Sequence, residues 1–328
     1  VMMPSMNSPT AAILLDATQL QQGLATSRWH RLTVVERTGS TSTDLLAGLK
    51  AGTTGPGAVI VAAEQDGGHG RHRRPWSSPL GRSIALSAAI TLPADRAWTL
   101  VPLLTGLATA RAIEQLAGQP LPAPVELDAT GFTDRLVTPP KSPAQASTES
   151  SSTTSPPPWV QLKWPNDVLL NQLKCAGLLV ETVARGSETQ AVIGIGLNIS
   201  QTAAELPTPE SISLALAGVV TSREAAAVAV LRQLDEVLAL WEAGHDLLPA
   251  YRAYSATLGQ SVRLTFSDRP DETAICGQAS AIAASGELGL IVDGELRWFA
   301  AGDVHHLRVA PDSCEPGLST SSAKLKGI

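Results

Sequence analysis

The residues with the clearest chemical potential form one segment, QDGGHGRHRRPW, at positions 65–76. Its glycines allow the backbone to approach a ligand closely and to present amide donors. Its arginines add guanidinium groups, which bind phosphate well. A solvated basic loop has the same composition, so composition alone leaves both interpretations open. The segment follows an apolar run that predicts a buried strand and ends in a tryptophan, which favours a ligand-binding loop.

A second segment places two lysines, an amide and two carboxylates within nineteen residues. It comprises KWPND at 163–167, KCAG at 174–177 and Glu181, separated by leucine-rich, strand-like pieces. Lysines are cationic donors to a phosphoryl or carboxylate group, while Asp167 can orient one of them or help to bind Mg²⁺. A hairpin with ordinary surface charges is the alternative interpretation.

A third segment, GIGLN at 194–198, contains two glycines in an apolar run. It is not a dinucleotide-binding fingerprint, because it has no third glycine and no helical pattern begins directly after it. Taken alone, it indicates a strand in which two small residues pack under a bulky group.

Composition excludes several classes of protein. The chain has 328 residues, a net charge of -6 and a pI of about 5.5, which argues against a surface for bulk nucleic-acid binding. Its three cysteines, at 175, 276 and 314, are widely spaced without a CxxC pair, so we expect neither a disulfide framework nor a zinc site. No run approaches the roughly 18 apolar residues of a membrane span. We therefore expect a cytoplasmic protein that binds neither nucleic acid nor membrane.

Apolar periodicity predicts the elements that must position these motifs. Short apolar or alternating runs indicate strands around 32–34 and at 58–63, 84–90 and 192–199. Helical spacing indicates helices after residue 44, at 97–117, and after the apparent capping box TSRE at 221–224. Near the end, Asp293-Gly294 is a hairpin signal.

The chain divides into regions of different composition. Residues 1–25 are interpreted as a loose leader, 26–257 as the main domain, 258–309 as a small β domain and 310–328 as a disordered tail. Residues 138–158 are dominated by Pro, Ser and Thr, a composition that cannot bury enough apolar surface to become ordered. We interpret them as a disordered insertion within the main domain; an interdomain linker is the alternative.

In this order, the motifs resemble those of the biotin–protein ligase family. Ser40-Thr41 after a strand resembles the family's Ser-Thr-Asn element, and positions 65–76 resemble its biotin- and nucleotide-binding loop. KWPND with the later KCAG is similar to its most diagnostic signature. The resemblance covers about residues 30–308 apart from the insertion. It implies an α+β fold: a class II synthetase-like catalytic domain with a central mixed sheet, plus a small C-terminal SH3-like β barrel.

The resemblance also implies roles for individual residues. Lys174 would bridge the biotin carboxylate and the α-phosphate of ATP as the main catalytic group, and Arg71 would close over the adenylate. Asp167 is the candidate ligand for Mg²⁺. The implied biotin-binding residues are Ser40, Thr41, Gln65, Gly68, His69, Lys174 and Gly177. The implied ATP- or adenylate-binding residues are Arg71, Arg74, Trp76, Lys163, Asn166 and Asn198.

The implied reaction has two steps and two small-molecule substrates. The biotin carboxylate attacks the α-phosphate of ATP to give biotinyl-5′-adenylate and pyrophosphate. The ε-amine of a lysine then attacks the mixed anhydride and releases AMP. The implied macromolecular partner is the biotin carboxyl carrier domain of an acetyl-CoA or related carboxylase.

Three positions depart from the family pattern. Ser42 stands where the family usually has Asn, His69 where it has Arg, and Arg73 where it has Gly. Arg73 is expected to stiffen the loop, because Gly tolerates backbone conformations that Arg does not. The loop arginines have no obvious protein partners in the sequence, so we expect the loop to be mobile without ligand.

Three other functions remain as rivals. A lipoate ligase or a lipoyl/octanoyl transferase has a related catalytic fold, but the glycine–arginine loop and KWPND favour biotin. A biotin-sensing DNA-binding repressor would need an N-terminal winged helix, for which fewer than thirty residues leave too little room. A non-catalytic adenylate-binding module is disfavoured by Lys174 and the arginine loop.

Overall fold

The computed structural model describes residues 14–76, 79–118, 159–266 and 274–307. Its larger sheet contains seven strands, in chain order β1 (Arg31–Thr38), β2 (Ala58–Gln65), β3 (Ser83–Leu92), β4 (Val160–Lys163), β5 (Asp167–Leu170), β6 (Leu173–Arg185) and β7 (Glu188–Asn198). Their spatial order is β1-β2-β3-β7-β6-β5-β4. Only the β1–β2 pair is parallel among these described strands. The predicted central mixed sheet is therefore confirmed.

Five helices accompany this sheet: α1 (Ala17–Gly23), α2 (Thr41–Ala51), α3 (Val101–Leu116), α4 (Arg223–Glu242) and α5 (Leu248–Tyr254). Helix α2 packs its buried Leu45 and Leu49 on Ala58, Ala89 and Val192 of the sheet. The neighbouring positions Val59, Ala88 and Ile193 belong to the main core with α3 and α4. Because successive strand residues face opposite sides, α2 covers one face of the sheet and the α3–α4 pair covers the other.

The prediction of a loose leader over residues 1–25 is wrong for its second half. The Asp16 carboxylate caps α1 by accepting hydrogen bonds from the backbone N–H of Thr18 at 2.8 Å and Gln19 at 3.1 Å. Leu20 and Leu24 are buried in the main core, and α1 packs on α4. The helix was missed because seven residues are too short for a convincing apolar period. Residues 1–13 lie outside the described part of the chain.

The predicted capping box at 221–224 is also corrected. Helix α4 begins one residue later, and Ser222 Oγ accepts from the backbone N–H of Ala225 at 3.0 Å. Glu224 consequently occupies the second helical position, where a capping box cannot form. Its carboxylate instead accepts from the backbone N–H of Asp16 at 3.1 Å. Glu224 therefore links the start of α4 to the start of α1 and does not cap its own helix.

A smaller antiparallel sheet follows, with strands β8 (Ser261–Thr265), β9 (Ile275–Ile282), β10 (Leu288–Val292), β11 (Glu295–Phe299) and β12 (Asp303–His306). Their order is β11-β10-β9-β8-β12. Asp293 and Gly294 join β10 to β11 with φ of 53° and 83°, so the predicted hairpin is confirmed. The described strands form an open sheet and not the expected closed barrel.

Some expectations fall outside the described residues, namely the insertion at 138–158 and the tail at 310–328. Within the described ranges, no helix is both long and apolar enough to cross a membrane.

The packing of α1 leads to a first prediction. Leu20 is fully buried, so Leu20→Ala should reduce the free energy of unfolding by about 2–5 kcal/mol, the usual cost of removing a core leucine. Urea unfolding monitored by circular dichroism measures this change. Gln21→Ala, at an exposed position of the same helix, is the matched control and should stay within about 0.5 kcal/mol of the parent. Equal stability of the two variants would contradict the packing of α1.

Candidate functional site

One cleft, between the larger sheet and strand β12, collects most of the residues singled out in the sequence. The predicted residues that line it are Ser40, Thr41, Gln65, His69, Arg71, Arg74, Trp76, Lys163, Asn166, Asp167, Lys174 and Gly177. The smaller sheet contributes Asp303, Val304 and His305, which the sequence analysis did not place in the site. Gly68 and Asn198 are not among the lining residues.

An uncharged group of side chains forms one part of the cleft; we call Ser40, Thr41, Ser42 and Gln65 the polar corner. Ser40 caps α2, and its hydroxyl accepts from the backbone N–H of Thr43 at 3.4 Å. The backbone N–H of Thr41 donates to Gln65 Oε1 at 2.9 Å. Because a backbone N–H can only donate, this contact identifies the carbonyl oxygen of Gln65 and leaves its Nε2 as a donor. The polar corner therefore offers both donors and acceptors to a ligand.

The indole of Trp76 lies on the backbone of β6 and β7. A Cβ at Gly196 would be 2.2 Å from Trp76 Cε2, and one at Gly177 would be 2.9 Å from Trp76 Cζ3. Neither position can carry a side chain while the indole remains in place. The interpretation of GIGLN as a strand with small residues under a bulky group is therefore confirmed for Gly196, and Trp76 is that group.

Gly68 does not line the cleft, but it supports the position of Trp76. A Cβ there would meet Gln65 Nε2 at 2.1 Å and the carbonyl oxygen of Trp76 at 2.6 Å. The carbonyl oxygen of Gly68 also accepts from the backbone N–H of Trp76 at 2.8 Å. The glycine thus allows the loop to fold back tightly between the Gln65 side chain and Trp76.

Lys174 is held by a carboxylate at the side of the cleft. Its Nζ lies 2.6 Å from Asp167 Oδ1 and 5.7 Å from the centroid of the Trp76 ring. Asp167 begins β5 and pairs with Gly177 on β6. Of the two roles considered for Asp167, the structure shows the orientation of a lysine.

The turn before Asp167 is anchored to both sheets. Trp164 is buried, and its Nε1 donates to the carbonyl oxygen of Gly286 at 3.0 Å. Asn166 Nδ2 donates to the carbonyl oxygen of Leu178 at 2.8 Å. The peptide bond between Trp164 and Pro165 is cis. KWPND is therefore the turn of the β4–β5 hairpin, in which Lys163 pairs with Asp167, and the hydrogen bonds of Trp164 and Asn166 anchor it to both sheets.

Lys163 lies in a crowded cationic environment. Burial lowers the pKa of its ammonium group; nearby Asp167 and Asp303 oppose this change, whereas Lys174 and Arg74 add to it. Burial also lowers the pKa of His306 to about 4, with Lys163 contributing. His306 is therefore neutral at pH 7. The positive charge on this side of the cleft, which we call the cationic side, comes from Lys163, Lys174, Arg71 and Arg74.

The arginine loop contacts the smaller sheet, contrary to the expectation that its arginines have no protein partners. Arg71 Nη1 donates to the carbonyl oxygen of Gly302 at 3.0 Å. Arg74 Nη2 forms a hydrogen-bonded ion pair with the Asp303 carboxylate, and His72 Nε2 lies 3.9 Å from the same group. Asp303 lies in the segment AGDV at 301–304, in which no local pattern indicates a contact with the loop.

The backbone at Arg73 adopts a conformation that glycine favours. Residues Arg71–Arg73 form a 3₁₀ turn in which His72 and Arg73 have φ of 55° and 56°. These values are unfavourable for residues other than glycine and usually persist only where surrounding contacts impose them. The contacts of Arg71 with Gly302 and of Arg74 with Asp303 are such constraints.

Asn198 has a different place from the one predicted. Its amide is buried; Nδ2 donates to the carbonyl oxygen of Ile212 at 3.2 Å, and Oδ1 accepts from Gln201 at 2.9 Å. These bonds tie the end of β7 to the segment that follows it. Its assignment as an ATP ligand stays a prediction.

The described residues contain no cluster of three or more His, Cys, Asp or Glu side chains able to hold a metal ion. Asp167 is a single carboxylate and is already paired with Lys174. A Mg²⁺ ion here would thus need most of its ligands from phosphate oxygens and water, as is common for this ion.

Comparison with known proteins identifies relatives. Residues 34–198 match the Biotin/lipoate A/B protein ligase family. Biotin–[acetyl-CoA-carboxylase] ligase of Mycobacterium tuberculosis is 33% identical over 300 residues, covering 90% of this chain and 96% of that protein. Bifunctional ligase/repressor BirA of Escherichia coli is 25% identical over 302 residues, covering 90% of this chain and 79% of that protein.

The fold is shared with solved structures. Biotin protein ligase from Aquifex aeolicus in complex with biotin and ATP superposes with a TM-score of 0.60 at 20% identity, covering 84% of this chain and 99% of that one. The apo structure of the same enzyme gives a TM-score of 0.60 at 18% identity. Sequence and fold agree, and the chain belongs to the biotin/lipoate A/B protein ligase family.

Proposed function

We propose that this protein is an ATP-dependent biotin–[biotin carboxyl carrier protein] ligase. The observation that carries the proposal is the meeting, in one cleft, of the polar corner, the cationic side and Lys174 with its Asp167 partner. The named activity of the Mycobacterium tuberculosis relative, which this chain matches over nearly the full length of both, supports the same function.

Biotin fits the polar corner because its ureido ring carries two N–H donors and one carbonyl acceptor. Ser40, Thr41 and Gln65 supply complementary groups, and the backbone around Gly68 and His69 can supply more. Buried polar groups must be matched, or the complex loses the free energy of the unmade hydrogen bonds. The indole of Trp76 over Gly177 offers an apolar surface for the rest of the molecule.

The first step joins the biotin carboxylate to the α-phosphorus of ATP, and pyrophosphate leaves. Lys174, oriented by Asp167, stabilises the negative charge that accumulates on the phosphoryl oxygens in the transition state. Arg71, Arg74 and Lys163 bind the phosphates. Trp76, Asn166 and Asn198 complete the proposed nucleotide side. Catalysis is then mainly positioning and electrostatic stabilisation.

In the second step the neutral ε-amine of a carrier lysine attacks the carbonyl carbon of the mixed anhydride. The bond to the phosphate oxygen breaks, AMP leaves with the electron pair, and the amine loses a proton as the amide forms. The proposed carrier is the biotin carboxyl carrier domain of an acetyl-CoA or related carboxylase, in line with the relative's name.

Mg²⁺ is proposed to accompany ATP, where it would neutralise phosphate charge. Asp167 is the carboxylate that can contribute one ligand. Asp167 already forms an ion pair with Lys174, so binding of Mg²⁺ and orientation of Lys174 would compete for the same carboxylate.

The finer architecture is part of the proposal. We infer a class II synthetase-like catalytic unit at 26–257, with α1 packed onto it, and assign the segment 258–309, which contains the smaller sheet, to the family's SH3-like module. The cytoplasmic location also stays a prediction.

A lipoate ligase is the second candidate, because the matched family includes lipoate ligases. The polar corner argues against it. The dithiolane ring of lipoate has no N–H or carbonyl group to pair with Thr41 and Gln65, whose polar atoms would be left unmatched.

The decisive experiment is incubation of the protein with ATP, Mg²⁺, a biotin carrier domain and either labelled biotin or labelled lipoate. We expect label on the carrier only with biotin, and none when the acceptor lysine is replaced by Arg. Label from lipoate alone would contradict the proposed substrate, and no transfer from either would contradict the proposed reaction.

The electrostatic role of Lys174 gives a second prediction. Lys174→Ala should slow adenylate formation by about 10²- to 10³-fold, comparable to the loss of one oxyanion donor. Single-turnover release of pyrophosphate measures this step. Lys50→Ala, on an exposed position of α2, is the control and should match the parent. A loss below about threefold would remove Lys174 from the mechanism.

The contact of Arg74 and His72 with Asp303 gives a third prediction. Asp303→Asn removes the negative charge while keeping the size of the side chain, so the ligand-free loop should open more often. Amide hydrogen exchange at 69–76 should become about two- to fivefold faster, as expected for a partly exposed ion pair. Asp293→Asn, in the β10–β11 turn, is the control. Unchanged exchange in both variants would show that Asp303 does not hold the loop.

A further inference from the structure

A fully buried serine lies beneath the polar corner, and neither the resemblance nor the proposed mechanism gives it a role. Ser87 Oγ is 2.8 Å from Thr41 Oγ1 and 2.9 Å from Ser42 Oγ. Its own relative exposure is 0%. Thr41 and Ser42 both line the cleft, whereas Ser87 does not. Ser87 is thus a hydroxyl that reaches a ligand only through other hydroxyls.

Sheet geometry explains how three hydroxyls meet at this point. Ser87 is central in β3, paired with Ile60 on β2 and with Gly194 on β7. A Cβ at Gly194 would be 2.4 Å from Ser42 Oγ and 3.7 Å from Ser87 Oγ. The missing side chain at 194 makes room for the Ser42 hydroxyl to approach Ser87. Gly194 therefore leaves space for Ser42, whereas Gly196 leaves space for Trp76.

The hydrogen-bond inventory limits what each group can do. Thr41 Oγ1 lies 3.3 Å from Gln65 Oε1, which can only accept. The Thr41 proton is therefore directed to Gln65, and Ser87 donates to Thr41 Oγ1. One lone pair of Thr41 Oγ1 remains to accept from a ligand N–H. Ser87 accepts in turn from Ser42 Oγ.

We propose that Ser87 is a positioning residue that holds the Thr41 hydroxyl for a cyclic urea, a ligand that presents both N–H and C=O groups. This inference rests on the proposed function and adds the residue that tunes its polar corner. Ser42 lies at the other end of this series of hydrogen-bonded hydroxyls.

The test measures biotin binding by titration calorimetry without ATP, together with KM and kcat for adenylate formation. Ser87→Ala should weaken biotin binding about tenfold, equivalent to about 1.4 kcal/mol, and raise KM for biotin with little change in kcat or in KM for ATP. Ser87→Cys keeps the packing with a weak hydrogen-bonding group, so its biotin affinity should lie between those of the parent and Ser87→Ala. It replaces Ser87→Ala as the test if the Ala variant does not fold. Ser83→Ala, a second buried serine of β3 that does not contact Thr41, is the matched control.

A double-mutant cycle separates positioning from general packing. Thr41→Val removes the hydroxyl through which Ser87 is proposed to act. In that background Ser87→Ala should cost less than about twofold in biotin affinity, so the two effects should be strongly non-additive. Additive losses, or Ser87→Ala binding biotin as tightly as the parent, would overturn the inference. A parent protein that binds no biotin would overturn the proposed function and this inference with it.

Discussion

The stacking of Trp76 on bare backbone is the contact on which the cleft depends. Gly177 and Gly196 lie in adjacent strands, paired with each other, and together they leave a flat surface for one indole. The indole fixes the end of the arginine loop, while the loop's start is fixed by Gln65 and Thr41. Both ends of the loop are attached to the larger sheet, and the arginines between them contact the smaller sheet.

The smaller sheet supplies the negative charge that pairs with the arginine loop. Asp303 accepts from Arg74 and lies near His72, so one carboxylate occupies the place of an anion among groups suited to phosphate. A phosphate that enters the cleft competes with Asp303 for Arg74. The smaller sheet therefore takes part in the site directly, and its attachment through Trp164 to Gly286 keeps Asp303 within reach of the loop.

The roles of Ser40, Thr41 and Gln65 were implied by the family resemblance, and local sequence patterns predicted only the strands that position them. Ser40 and Thr41 follow β1, and Gln65 ends β2. Asp303 could not be found in this way, since it is 229 residues from Arg74 and nothing local marks the pairing. Asn198 lies in a motif that the sequence made visible, but the hydrogen bonds of its amide with Ile212 and Gln201 are long-range or irregular contacts that no local pattern indicates. Helix α1 was missed because tertiary packing on α4, and not a local period, stabilises it.

The two lysines of the cleft differ because their surroundings differ. Lys174 has the Asp167 carboxylate at 2.6 Å. Burial lowers the pKa of Lys163 despite the opposing effects of Asp167 and Asp303, and the neighbouring cations Lys174 and Arg74 lower it further. Holding Lys163 charged in the empty cleft therefore costs free energy. An incoming polyanion offsets both burial and like-charge repulsion, so the crowding that disfavours the empty state favours the phosphate-bound one. The polar corner has no such charge dependence. In the proposed function, recognition of the uncharged ring and recognition of the phosphates would thus rest on different physics within one cleft.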